Sequence, residues 1–92
     1  MKPKYILYDA AFEKKFAKYK SKLTDSERQR LKQRLAIFKE DVFDKRLKTH
    51  KLKGELSAYH AISISHSDRL VFQVLSDGGV YFIEVGDHDI CY

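Results

Sequence analysis

The spacing of apolar residues changes from helical to alternating near the middle of this 92-residue chain, and that change dictates two kinds of layer. Up to Val42 the apolar residues recur three and four apart: Phe12, Phe16, Tyr19 and Leu23, then Leu31, Leu35, Phe38 and Val42. From Tyr59 onward the period is two. A helical stripe and a strand face each need an apolar partner, and packing one on the other buries both.

Local signals place the elements. Tyr5-Ile6-Leu7-Tyr8 reads as a short strand, too apolar on both sides for a fully exposed edge. Asp9 suits the N-cap of a first helix. Thr24-Asp25-Ser26-Glu27 has the form of a capping box, in which the threonine oxygen meets a backbone amide and the glutamate reaches back. It opens a second helix, with Arg28, Lys32, Gln33 and Lys39 largely off the apolar stripe. Ile62 and Ile64 then share a strand face with His60 and His66, and Ala61, Ser63 and Ser65 take the other. The run Leu70–Leu75 is nearly continuous and reads as a central strand. Ser76-Asp77-Gly78-Gly79 is a turn, and Val80–Val85 returns as the hairpin partner. The expected order is β-α-α-β-β-β: a single α+β domain over residues 1–92. Its twisted, mainly antiparallel sheet carries a helical hairpin on one face.

Charge divides the chain in the same place. Residues 1–53 hold 17 of the 18 Lys and Arg against 7 of the 13 acids, whereas residues 54–92 hold only Arg69 against six. A basic half suits phosphate backbones or an acidic partner, and equally a solvated helix face. No apolar run approaches the roughly 20 residues of a membrane span. Met1-Lys2-Pro3-Lys4 leads straight into a strand pattern rather than a signal-peptide apolar region. The single cysteine, Cys91, excludes an internal disulfide and fits a reducing cytosol. A cytoplasmic protein without membrane contact is expected.

Three motifs carry candidate chemistry: His50-Lys51-Leu52-Lys53-Gly54, then Asp68-Arg69-Leu70-Val71-Phe72-Gln73-Val74, then Gly86-Asp87-His88-Asp89-Ile90-Cys91-Tyr92. In that order they resemble the RelE superfamily of bacterial toxins, small ribosome-associated endoribonucleases. The YafQ-like branch is similar in carrying an H-x-L-x-G segment and a tail of the form G-x-H-x-x-x-aromatic. The resemblance implies the toxin of a type II toxin–antitoxin pair. Such a toxin cuts mRNA in the ribosomal A site by 2′-hydroxyl attack, rests on ribosomal RNA, and is covered by a cognate antitoxin protein.

RNA cleavage without a metal needs a base for the 2′-hydroxyl, a cation for the phosphorane and an acid for the departing 5′-oxygen. By resemblance His88 is the candidate acid, Tyr92 the ring that stacks on a base, and His50 a base or phosphate binder. Arg69 is the contact to the scissile phosphate, and a guanidinium offers that anion a permanently charged fork. Asp68 matches an aspartate of the YafQ-like pattern only if one residue is inserted before it. Lys51 and Lys53 flank His50 as candidate RNA contacts, and His60 is a third.

One strand earlier, related toxins carry a further Lys, Arg or His where this chain has Ser63 or Ser65. His60 or His66 could substitute, although strict alternation points both of them with Ile62 and Ile64; a bulge near Ser65-His66-Ser67 would restore the register. Neither H-E-x-x-H nor C-x-x-C spacing occurs, so no metal or cofactor is expected. Without the strand cation, a second reading stands beside the first: a catalytically inactive or ParE-like binding protein of the same fold, the ParE-like members being gyrase inhibitors.

Overall fold

The computed structural model describes residues 1–54 and 58–87. In chain order the elements are β1 (Ile6–Leu7), α1 (Ala10–Ser21), α2 (Asp25–Glu40), a 3₁₀ turn (Lys45–Leu47), β2 (His50–Lys51), β3 (His60–Ser63), β4 (Asp68–Val74) and β5 (Val80–Asp87). The strands form one sheet in the order β1-β5-β4-β3-β2. β1 runs parallel to β5, and every other pair is antiparallel. The expected α+β architecture is present, with one strand more than expected.

Both helices start where their caps predict. The Asp9 carboxylate accepts from the Phe12 amide at 2.8 Å. At α2 the Glu27 amide donates to Thr24 Oγ1 at 3.2 Å, and the Thr24 amide donates to Glu27 Oε1 at 2.8 Å. Two donors that a helix start leaves unpaired are thereby satisfied. α2 ends at Glu40, because Asp41 turns to extended backbone (φ −156°, ψ 108°). Val42, expected on the helix stripe, therefore lies beyond α2, yet it is fully buried.

The helical hairpin covers one face of the sheet. Phe38, with no exposure, meets Phe72 edge-on at 5.1 Å and Phe82 at 5.6 Å. Phe12 reaches Phe82 at 5.5 Å. Ile62, Ile64, Leu70 and Val80 complete this core, with Phe16 and Leu35 packed at its margin. The opposite face carries a smaller cluster of Leu52, Ala61 and Val71, flanked by Tyr59 and Ile83.

Three local expectations are corrected. β1 is an edge strand after all, with Leu7 47% and Tyr8 52% exposed, since only β5 pairs with it. His50–Lys51, for which the expected order held no element, forms β2 on the far edge, where two residues are too few to show a period. The register shift lies between Val71 and Phe72 of the β4–β5 ladder, not near His66. Among the described residues no helix is long and apolar enough to cross a membrane.

Candidate functional site

The chain leaves β3 after Ser63 and re-enters the sheet at Asp68, so residues 64–67 are a turn rather than strand. Its hydrogen bonds converge on Asp68: the Ile64 and Ser65 amides donate to the Asp68 carbonyl at 2.9 and 3.4 Å, and the Asp68 amide donates to Ser65 Oγ at 3.2 Å. Arg69 follows, directly opposite Ser63 on β3 and Gly86 on β5. Its Nη1 donates to the carbonyls of Ser65, His66 and Asp68 at 3.1, 3.4 and 3.0 Å. One nitrogen of the guanidinium thus holds the turn, and a guanidinium carries five donors in all, enough to grip an anion as well.

Beside this turn opens a cleft of about 410 Å³, lined by Arg30, Arg34, Lys48, Ser63, Ser65, His66 and Arg69. Arg30 and Arg34 stand four apart on α2 and so share a face. Arg34 Nη1 donates to the Arg46 carbonyl, tying α2 to the 3₁₀ turn. Lys48 ends that turn in left-handed conformation (φ 52°). Four cationic side chains, a histidine and two hydroxyls meet here, with no carboxylate among the described lining residues, the composition of an oxyanion site.

Three acids around the cleft are engaged elsewhere, whereas Glu27 attracts Arg30 from one turn earlier on α2. Asp68 accepts from the Tyr19 hydroxyl at 2.7 Å. Glu84 is paired with Lys15 at 2.7 Å. Asp44 accepts twice from the Arg46 guanidinium at 2.9 Å, and those bonds hold its carboxyl down at about 2.

Among the predicted site residues, the structure brings Arg69 and His66 into one cleft. His66 gets there because it lies in the turn, where strand alternation no longer governs it. Asp68 turns the other way, to Tyr19 of α1. His50 is exposed on β2, opposite Ala61, with Nδ1 3.1 Å from the Lys48 carbonyl. A carbonyl only accepts, so Nδ1 carries the hydrogen and Nε2 is left as a base. Lys51 stands across from His60, and Lys53 is exposed; neither lines the cleft.

His60, expected as an RNA contact, is placed on the helix-covered face instead. Its ring stacks on Phe72 at 5.8 Å and meets Phe43 edge-on at 5.6 Å. Burial, then the positive charge of Lys51 and His50, holds its pKa below the ordinary value, and its buried Nδ1 has no partner among the described residues. His88 and Tyr92 lie outside the described residues. The last described residue of β5, Asp87, stands opposite Asp68, one register position from Arg69.

Sequence reasoning missed Arg30, Arg34 and Lys48. The i, i+4 spacing of the two arginines off the apolar stripe was legible. Which sheet edge α2 overhangs was not, and nothing local marks Lys48.

Together, the element order, the helix pair on one sheet face and the β1–β5 parallel pairing define the class: the fold of RelE-like toxin structures. A chain of the E. coli DinJ–YafQ toxin–antitoxin complex is 18% identical, with 98% of this chain and 97% of that chain covered and a TM-score of 0.71. YafQ from E. coli strain BL21(DE3) is 18% identical, covering 92% of this chain and 93% of its own, with a TM-score of 0.72. A YoeB/ParE toxin from Agrobacterium tumefaciens is 20% identical over 96% and 99% of the two chains, with a TM-score of 0.69. No family model and no curated protein matches the chain. The fold is therefore the one to which the three sequence motifs pointed.

Proposed function

We propose that this chain is the toxin of a toxin–antitoxin pair, and that it cuts mRNA in the ribosomal A site. The observation that carries this reading is the cleft in which Arg69 and His66 meet three further cations, with no carboxylate among the described lining residues. A scissile phosphate seated there would be gripped by Arg69 as the phosphorane forms. A histidine takes the 2′-hydroxyl proton; His66 is within the cleft, and His50 offers a free Nε2 at the Lys48 end. The oxygen attacks the adjacent phosphorus, the bond to the 5′-oxygen breaks, and a second group, acting as acid, gives that oxygen a proton. His88 is assigned that role by its place after Asp87 and by resemblance. The products are a 2′,3′-cyclic phosphate and a free 5′-hydroxyl.

The partners follow from the same resemblance: a cognate antitoxin, since one fold relative is a toxin–antitoxin complex, and ribosomal RNA beneath the basic helices, in the cytoplasm. Ser63 opposite Arg69, where related toxins place a cation, favours the second reading of a non-cutting binding protein.

Induction in growing bacteria, with 5′ ends of cleaved messages mapped, separates the two. New ends that fall by about a hundredfold in both Arg69→Ala and His88→Ala support the nuclease. Growth arrest without new ends moves the assignment to the binding protein.

A further inference from the structure

We propose that Arg30, Arg34 and Lys48 form a second phosphate seat on the helix side of the cleft, holding the phosphodiester next to the one at Arg69. The ligand assignment rests on the RNA-cutting reading; the seat itself rests on geometry. Three cations line one wall of a 410 Å³ cleft that has no acid among its described lining residues, so they repel one another across it, although Glu27 attracts Arg30 from one turn earlier on α2. Asp44, the nearest acid on the same turn, is already neutralised by Arg46.

Lys48 is the telling residue. Left-handed backbone is disfavoured for L side chains and open to glycine, yet a lysine occupies it here with φ 52°. Its amide donates to the Lys45 carbonyl at 3.2 Å, and its own carbonyl accepts from His50 at 3.1 Å. The backbone is thereby fixed, and the side chain's role is its charge in the cleft. Strain retained at such a position points to function. Arg34, held by the Arg46 carbonyl, fixes α2 against the same turn. The helix thus supplies the charge that β3, with Ser63, does not. All seven described lining residues are polar, which suits a phosphate backbone, and none of them gives an acidic peptide an apolar anchor.

Lys48→Gly separates charge from fold, because glycine relieves the backbone while removing the cation. The readouts are thermal unfolding and fluorescence anisotropy with a labelled 2′-O-methyl RNA hexamer, which cannot be cut, across a salt series. The expected result is an unchanged or higher Tm, affinity weakened about three- to tenfold, and a salt slope smaller by about 0.7. Arg30→Gln, at an exposed helix position, should weaken binding alike and covers the case of a poorly folding glycine variant. Unchanged affinity and slope in both variants, or no binding of the hexamer by the unsubstituted chain, overturns the seat. Equal Lys48-dependent binding of hexaglutamate overturns it in favour of an acidic peptide. If the unsubstituted chain cuts no message on ribosomes but Lys48→Gly still loses RNA affinity, the seat stands and the nuclease reading falls. Cleavage and binding unaltered by Lys48→Gly and Arg30→Gln remove the seat alone.

Discussion

Tyr19 of α1 donates its phenolic hydrogen to Asp68 at 2.7 Å, one residue before Arg69, and so fastens the helix hairpin to the head of β4. Asp68 also organises the turn that carries His66, through its amide and carbonyl. The bond therefore joins the core to the cleft, although neither side chain lines it.

Tyr19→Phe should lower stability by about 1–2 kcal/mol at neutral pH, the worth of a half-exposed hydrogen bond to a charged acceptor. The dependence on pH has a definite sign. Burial first, then the Asp68 bond, raises the Tyr19 pKa above its ordinary value of 10. Its contribution is complete below that value and is lost as pH rises above it, when the unfolded chain gives up the proton more readily. Urea unfolding of both proteins from pH 8 to 11 should show their difference shrinking; a constant difference would deny the bond.

His50 should be found with its hydrogen on Nδ1 in the neutral ring, the reverse of the usual preference of free imidazole. Long-range ¹H–¹⁵N correlation spectra at pH 8 report this directly. A hydrogen on Nε2 would remove His50 as a base, since its free nitrogen would then face the Lys48 carbonyl.

Much of this architecture was legible because its signals are local. Asp9 and Thr24–Glu27 are caps whose partners lie three residues away, and Gly78, at φ 96°, fixes the hairpin turn. The cleft was legible only in part, because it joins residues far apart in the chain. Arg69 stood out as the lone cation after Lys53, but Arg30 and Lys48 gain meaning only once α2 overhangs β3. His66 was misdirected by extending alternation beyond Ser63, where the ladder has ended.

Phe38→Ala and Leu35→Ala should differ in cost, although both lie on the α2 stripe. Phe38 is fully buried among Phe72 and Phe82, so its removal leaves a cavity worth about 3–5 kcal/mol. Leu35 is only partly buried at the margin, and about 1–2 kcal/mol is expected for it. Chemical denaturation of the two variants measures this; equal costs would mean that the helix phase is wrong.

His60→Phe should stabilise the protein by about 1 kcal/mol and flatten its acid sensitivity. The ring already stacks on Phe72 and meets Phe43, so phenylalanine keeps the packing while removing a buried nitrogen without a partner among the described residues. With the folded pKa held below the ordinary 6.5, the unfolded chain binds the proton more readily. The stability His60 permits is therefore complete above that value and declines as pH falls below it. Thermal unfolding from pH 7.5 to 5 should show the unsubstituted chain losing more of its Tm than the variant. Since His60 faces the helices and Arg69 the cleft, RNA binding at pH 7.5 should be unchanged in His60→Phe. Lost RNA affinity in a stably folded variant would return His60 to the binding surface.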